Sequence, residues 1–181
     1  MEKRIIIAGF GGQGILFFGK ILAYAGMLED KEVTWFPSYG GEMRGGTANC
    51  TVIISDELIA SPVVKNPDIL VVMNDQSLKK FQSGLKQKGI LLFDSSLIKN
   101  PEHRQDIEVI GVPATNIAST IGNTKSANMV LLGALIGRTK LLKEQSALEA
   151  IEDSLDHRKE VIAVNEKAVR EGMHFFEDKK G

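Results

Sequence analysis

Thiols are almost absent from this 181-residue sequence, in which Cys50 is the only cysteine. That excludes an intrachain disulfide and any metal or cluster site made of several thiolates. An excess of charge of one sign is missing too: 22 Lys and Arg stand against 23 Asp and Glu, a net charge of -1. No polycationic surface is therefore expected for nucleic acid or for an anionic membrane. Long apolar runs are also lacking, the most apolar helical stretch falling well short of the ~18 residues that span a bilayer. "MEKR" leads directly into "IIIAGF", which glycines interrupt too early for a signal sequence. His103, His157 and His174 follow no ligand spacing, so no metal is predicted. The chain reads as soluble, untargeted and cytoplasmic.

What is present is a full apolar core's worth of side chains, 43% of the residues, in a length that suits one domain spanning 1–181. "RIIIAGF" is a β-branched run ending in glycines, the pattern of a strand buried on both faces. A helix follows from Gln13 to Leu28, with Ile15, Phe18, Leu22 and Ala25 on one face. "EVTWFP", ended by Pro37, "TANCTVIIS", "PDILVVMN", "GILLFD" and "DIEVIGVPA" predict five more strands. A polar helix is expected from about Gln76 to Lys88. Beyond Ala114 only helices are predicted: a short one in "TNIASTIG", a buried one in "SANMVLLGALIGR", and amphipathic ones near Lys143–Leu155 and Lys159–Phe176. In the last, Val161, Val164, Ala168, Gly172 and Phe175 share a face. Gly133 and Gly137, four apart, would let another helix approach closely. The expected fold class is α/β, a Rossmann-like three-layer sandwich with a mostly parallel sheet and a helical C-terminal part.

"GFGGQG", Gly9 to Gly14, contains GxGxxG between a strand and a helix. In a dinucleotide site such glycines permit the turn, the approach of a pyrophosphate and close helix packing. The second strand, however, should end in Asp or Glu for the ribose, and here it ends in Phe36, Pro37 and Ser38, with Glu32 at the wrong end. Gly14 to Lys20 also spells GxxxxGK, but Ile21 replaces the Ser or Thr that holds magnesium, and Gly19 and Lys20 should already be helical. A packing turn, a dinucleotide site and another kind of phosphate contact all remain open at this point. A second glycine-rich loop, "FPSYGGEMRGGTANC", follows the second strand and would lie beside the first turn, on the edge where open α/β sheets bind ligands.

Cys50 alternates within an apolar strand and is read as a buried, inert thiol rather than a nucleophile. Asp75 and Asp94 sit at strand ends, where they either face a site or cap the next helix. Asn123, Lys125, Ser126 and Asn128 either meet a phosphate or cap the buried helix.

"GFGGQG", "PSYGGEMRGGTANCTVIIS", "PDILVVMN", "NMVLLGAL" and, near the end, "VNEKAVREG" together resemble, in this order and spacing, the gamma subunit of 2-oxoacid:ferredoxin oxidoreductases. The resemblance spans essentially the whole chain. It implies a complex that oxidatively decarboxylates a 2-oxoacid, of the 2-oxoglutarate or branched-chain type, to an acyl-CoA and CO2 while reducing ferredoxin. Thiamine diphosphate with Mg, iron-sulfur clusters and coenzyme A would serve that complex. The thiamine-binding alpha and beta subunits and an iron-sulfur subunit would be the partners in a hetero-oligomer, with ferredoxin reached through the complex. This chain would bind none of the cofactors alone, carry no catalytic residue and be inactive in isolation. By resemblance, Gly11, Gly12, Gln13 and Gly14 of the first loop and Tyr39, Glu42, Arg44 and Gly45 of the second would shape the coenzyme A and active-site entrance. Arg44 suits a two-pronged grip on a phosphate or carboxylate, with Glu42 orienting it. The competing expectations are a stand-alone NAD(P)- or flavin-dependent oxidoreductase and a regulatory module that binds a nucleotide or acyl-CoA.

Overall fold

A computed structural model describes residues 1–38, 47–99, 101–102, 104–156 and 158–176. Tyr39, Glu42, Arg44 and Gly45 lie outside the described residues. Six strands, β1 (Glu2–Phe10), β2 (Glu32–Ser38), β3 (Thr47–Ser55), β4 (Ile69–Val72), β5 (Ile90–Asp94) and β6 (Glu108–Val112), form one sheet in the order β2-β3-β1-β4-β5-β6. β1, β4, β5 and β6 pair in parallel, and β3 runs antiparallel to both β1 and β2. Five strands thus share one direction and only β3 is reversed. Residues 39–46 are too short for a parallel crossover, which needs a dozen residues or more, so β2 and β3 must run antiparallel.

β1 is buried on both faces, as its β-branched run predicts. Ile5 and Ile7 belong to a large core shared with five helices, while Ile6 and Ala8 belong to a smaller one on the other side. The large core lies beneath α1 (Ile15–Met27), α3 (Ala114–Ile121), α4 (Ala127–Thr139), α5 (Glu144–Ser154) and α6 (Lys159–His174). The opposite face has a thinner cover, α2 (Asp75–Phe81) with its following turn and the neighbouring loops. The sandwich is therefore lopsided.

Three local expectations need correction. The polar helix ends at Phe81 and passes into a tight 3-10 turn at 82–84, because Ser83 and Gly84 let the chain fold against the Lys65 carbonyl. Pro37 does not stop β2, which runs to Ser38; β2 is an edge strand, where proline is tolerated. The buried stripe of α6 is Asn165, Ala168, Val169 and Gly172, with Val161 38% exposed. That rotation follows from backbone contact with α4. A Cβ on Gly133 would overlap the Val169 carbonyl, one on Gly172 the Val130 carbonyl, and one on Gly137 would crowd the Met173 backbone. The close approach anticipated from Gly133 and Gly137 is thus made within the chain, and α4 and α6 are locked as a pair.

Candidate functional site

The strand order places the glycine turn where chain connections diverge. From β1 the chain crosses through α1 to β2 on one side, while β4 pairs with β1 on the other. Open α/β sheets form a ligand crevice at the carboxyl ends of such strands. Here that crevice, about 160 Å³, is lined by Gly12, Gln13, Met73, Thr115, Thr124, Lys125 and Ala127.

Gly12 and Gln13, from the Gly11–Gly14 turn, form the crevice's first wall. Gly12 (φ 96) and Gly14 (φ 72) occupy the left-handed region that glycine adopts without strain. Gln13 ties the turn to the sheet: its Oε1 accepts the Phe10 N–H at 2.6 Å, and its Nε2 donates to the Met73 carbonyl at 3.1 Å. On the far side Asn128, from the start of α4, donates its Nδ2 to the Gly14 carbonyl at 3.0 Å. A Cβ on Gly14 would overlap that amide, so the third motif glycine makes room for α4 and not for a strand. Close approach of α1 to the sheet is made instead by Gly19, against Cys50 and Trp35, and by Gly26, against Val33.

Three helices begin near this crevice. At α3, Asp94 accepts the N–H and hydroxyl of Thr115 while Ser96 Oγ accepts the Asn116 N–H. Fully buried Asp94 also accepts the Ser96 N–H, which favours its capping reading. At α4, the Ala127 N–H is bonded to the Thr124 carbonyl and the Met129 N–H to the Asn128 side chain. The start of α1 has no side-chain cap and no acidic residue in its first turn. Its positive dipole end and the exposed Lys125 at the crevice rim both favour an anion. At about 160 Å³ the crevice has room for one phosphoryl or carboxylate group.

Both nucleotide-enzyme readings of the opening motif lose their geometry here. β3 separates β2 from β1, which moves the strand that should carry a ribose-binding acid two strands away, roughly 10 Å. Glu32 pairs with Ser55 at the opposite edge. Gly19 and Lys20 lie inside α1, so the P-loop spacing has no loop.

Of the sequence candidates, Gly12 and Gln13 line the crevice, and Gly11 and Gly14 are their neighbours in the same turn, outside the lining. Ser38 and Thr47, which flank the second glycine-rich loop, stand at the same edge, with Thr47 paired to Phe10. Asp75 opens α2, whose N-cap is Asn74, its side chain accepting the Ser77 N–H at 2.7 Å. Asn123 caps the turn before α4 by accepting the Lys125 N–H at 3.1 Å, and Ser126 donates its hydroxyl to the Asn123 carbonyl. Sequence reasoning missed Met73 and Thr115, whose only signal was their place directly after β4 and at the first turn after β6. Cys50 is buried, as expected: desolvation pushes its thiol up to about 12, against weaker opposing hydrogen bonds from Trp35 and Gly19. Among the described residues there is no group of three or more metal-ligating side chains, and no helix long and apolar enough to cross a membrane.

A larger crevice of about 700 Å³ lies beside α2, with Asp75 and Glu102 opposing Lys79, Lys99 and Arg104. Its cations are largely engaged, Arg104 by Asp106 and the Leu85 carbonyl and Lys99 by the Ser95 carbonyl. The helix start beside it, that of α2, is capped by Asn74 and carries Asp75 in its first turn.

The chain is similar to known proteins over nearly its whole length. The ketoisovalerate oxidoreductase subunit VorA of Methanothermobacter marburgensis is 39% identical over 173 residues, which are 94% of this chain and 36% of that protein. This chain therefore spans about a third of the length of VorA. The 2-oxoglutarate synthase subunit KorC of Methanocaldococcus jannaschii is 41% identical over 158 residues, covering 86% of this chain and 84% of KorC. In three dimensions the gamma subunit of a keto/oxoacid ferredoxin oxidoreductase from Geobacter sulfurreducens matches with a TM-score of 0.81 at 30% identity, over 95% of this chain and 96% of that one. With the model of the pyruvate ferredoxin/flavodoxin oxidoreductase family matching residues 4–175, the chain belongs to that family.

Proposed function

We propose that this chain is the gamma unit, a single domain, of a cytoplasmic 2-oxoacid:ferredoxin oxidoreductase. Such a complex converts a 2-oxoacid and coenzyme A to an acyl-CoA and CO2 while reducing ferredoxin. The observation that carries the reading is the match to KorC, a subunit of nearly the same span, at 41% identity. VorA and KorC are matched almost equally well, so similarity leaves the branched-chain and 2-oxoglutarate substrates level.

Thiamine diphosphate and iron-sulfur clusters would supply carbanion and electron-transfer chemistry from the other subunits, since one buried thiol cannot ligate a cluster. This chain contributes shape and charge. The start of α1, held by Gln13 and Asn128 and flanked by Lys125, receives an anionic group of coenzyme A at the entrance of a partner's active site. By resemblance Tyr39, Glu42, Arg44 and Gly45 would share that role, and Ser38 and Thr47, which flank them in sequence, stand at the same edge. The thinly covered sheet face is where the thiamine-binding subunits pack: Phe36 on β2 is 58% exposed, and Leu58 and Val63, after β3, are more exposed still.

Affinity purification from the native host tests this directly. Thiamine-binding and iron-sulfur chains should copurify, and activity with a 2-oxoacid should depend on them. A lone chain with full turnover would refute the proposal.

A further inference from the structure

We infer that a basic crevice at the amino ends of β1, β4 and β5 receives an acidic segment of a partner subunit. The inference rests on the reading of this chain as one unit of a larger complex, and it concerns the end of the sheet opposite the glycine turn.

The crevice, about 260 Å³, lies where the start of β1, the turn before β5 and the end of α4 meet. Lys3, Lys86, Lys88, Arg138 and Lys140 line it against a single carboxylate, Asp68. Two of these cations are already neutralised: Lys86 Nζ meets Asp68 Oδ1 at 2.7 Å, and the Arg138 guanidinium grips both carboxylate oxygens of Glu108, each at 2.7 Å. The Met1 amine at the rim is taken up by Asp56. Lys3, Lys88 and Lys140 have no side-chain partner among the described residues, which leaves three uncompensated charges around one concavity in a chain of net charge -1. Strand alternation brings Lys3 there, on the same face of β1 as Ile5 and Ile7, the face that α4 covers.

Backbone conformation points the same way. Lys88 (φ 59) and Lys140 (φ 52) both hold the left-handed conformation, at a cost that glycine would avoid. The other non-glycine residues with positive φ among those described, Asp30 and Asp156, are of the type whose short polar side chain tolerates it. The dipole at the end of α4 favours a cation at Lys140, but Lys3 lies within a strand and Lys88 in a turn, where no helix end calls for one.

The same geometry selects carboxylates of a polypeptide over a small phosphate. Phosphate sites are built from converging N–H groups or from a free guanidinium fork. Here the N–H groups of Lys88, Gly89, Ile90 and Lys140 are bonded to the carbonyls of Asp106, Lys86, Asp68 and Ile136, and Glu108 occupies the Arg138 fork. What remains is three flexible point charges spread over a strand, a turn and a helix end, an arrangement suited to several carboxylates on one segment.

The test is zero-length carbodiimide coupling in the purified native complex, which joins a lysine amine to a carboxylate only where the two touch, read by mass spectrometry. Lys3, Lys88 or Lys140 should be joined to an Asp or Glu of another subunit, and the coupling should fade in high salt. Lys3→Gln, Lys88→Gln and Lys140→Gln combined should weaken assembly about tenfold at low salt, as expected for three exposed ion pairs. The same charge removed from the exposed Lys20, Lys159 and Lys167 by Lys→Gln should leave assembly unchanged. Lys88→Gly and Lys140→Gly, which relieve the backbone, should match or exceed the wild type in Tm and still weaken assembly; a merely structural role would move stability alone. Couplings confined to other lysines in an intact complex would overturn the inference, and so would equal assembly of the two triple variants. Saturable binding of inorganic tripolyphosphate that the crevice variants lose, with no coupling to a partner, would overturn it in favour of a phosphate site. A chain that copurifies with no partner would refute the complex itself, and the inference with it.

Discussion

Replacing Gly133 by alanine puts a methyl group onto the Val169 carbonyl, where α4 and α6 touch backbone to backbone. Two effects compete. Alanine gains about 1 kcal/mol of helix propensity over glycine. Against this, no side-chain rotation relieves a Cβ contact with a carbonyl, so the helices must separate by roughly 1 to 1.5 Å to regain an ordinary van der Waals distance of about 3.4 Å or more. Ala134, Val130, Ala168 and Val169, all fully buried around the contact, would lose their packing together. Overpacking of a dense core costs about 1–3 kcal/mol, and here the obstacle is backbone and the cost lies at or above the upper end. The net expectation is a loss of about 2 kcal/mol, or about 4–8 °C in Tm for a domain of this size. Gly172→Ala, against the Val130 carbonyl, should behave alike. Gly137→Ala provides the internal contrast. Its Cβ would lie 3.1 Å from the Met173 Cα and 3.2 Å from its carbonyl oxygen, so a small shift suffices and the propensity gain roughly cancels the cost. Urea unfolding monitored by circular dichroism measures all three. If Gly133→Ala and Gly172→Ala both fell within about 0.5 kcal/mol of the wild type, the locked helix pair would be wrong.

Further expectations concern the crevice and the buried thiol. Lys125→Ala should weaken coenzyme A binding by about threefold to tenfold and flatten its dependence on salt, since an exposed rim charge acts by screened attraction; binding isotherms at two ionic strengths decide it. Gln13→Glu keeps an acceptor for the Phe10 N–H but loses the donor to the Met73 carbonyl and adds a negative charge beside the anion, so a loss of about 1–3 kcal/mol in anion affinity is expected by calorimetry. Cys50 should resist iodoacetamide in the native chain at pH 8 and react only on unfolding; rapid native alkylation would contradict its burial. Its thiol is raised from 9.0 to about 12, so the folded chain keeps the proton that the unfolded chain releases above pH 9. Stability should therefore decline between about pH 9 and 12, by up to about 1.4 kcal/mol per pH unit from this group, and Cys50→Ala should remove that slope.

Much of the fold was legible because its causes are local. β-branched runs ending in glycine or polar residues marked all six strands, and 3.6-residue periodicity marked the C-terminal helices. On α6, Ala168, Gly172 and Phe175 face the core as read, while Val161 is exposed and Asn165 and Val169 take its place, because Gly172 and Gly133 approach by backbone and an apolar stripe is insensitive to such a contact. The reversed direction of β3 did have a sequence signal, the eight residues between Ser38 and Thr47, which allow a hairpin and no crossover. The site was legible in half. Gly11 to Gly14 declare a turn wherever they occur, whereas Met73, Thr115 and Asn128 join it from positions 60 to 114 residues away along the chain.

By itself the sequence determined the strand and helix inventory, the inertness of the lone cysteine, the lack of a ribose-binding acid and the motif set shared with the oxidoreductase gamma units. Each depends on residue type or on short-range spacing. Only the tertiary structure decided that β3 separates β2 from β1, that three helix starts converge near one crevice, and that Gln13 and Asn128 clamp the glycine turn from opposite sides. Those outcomes depend on which strand edges pair and which helices pack, and such long-range choices are set by the whole core at once.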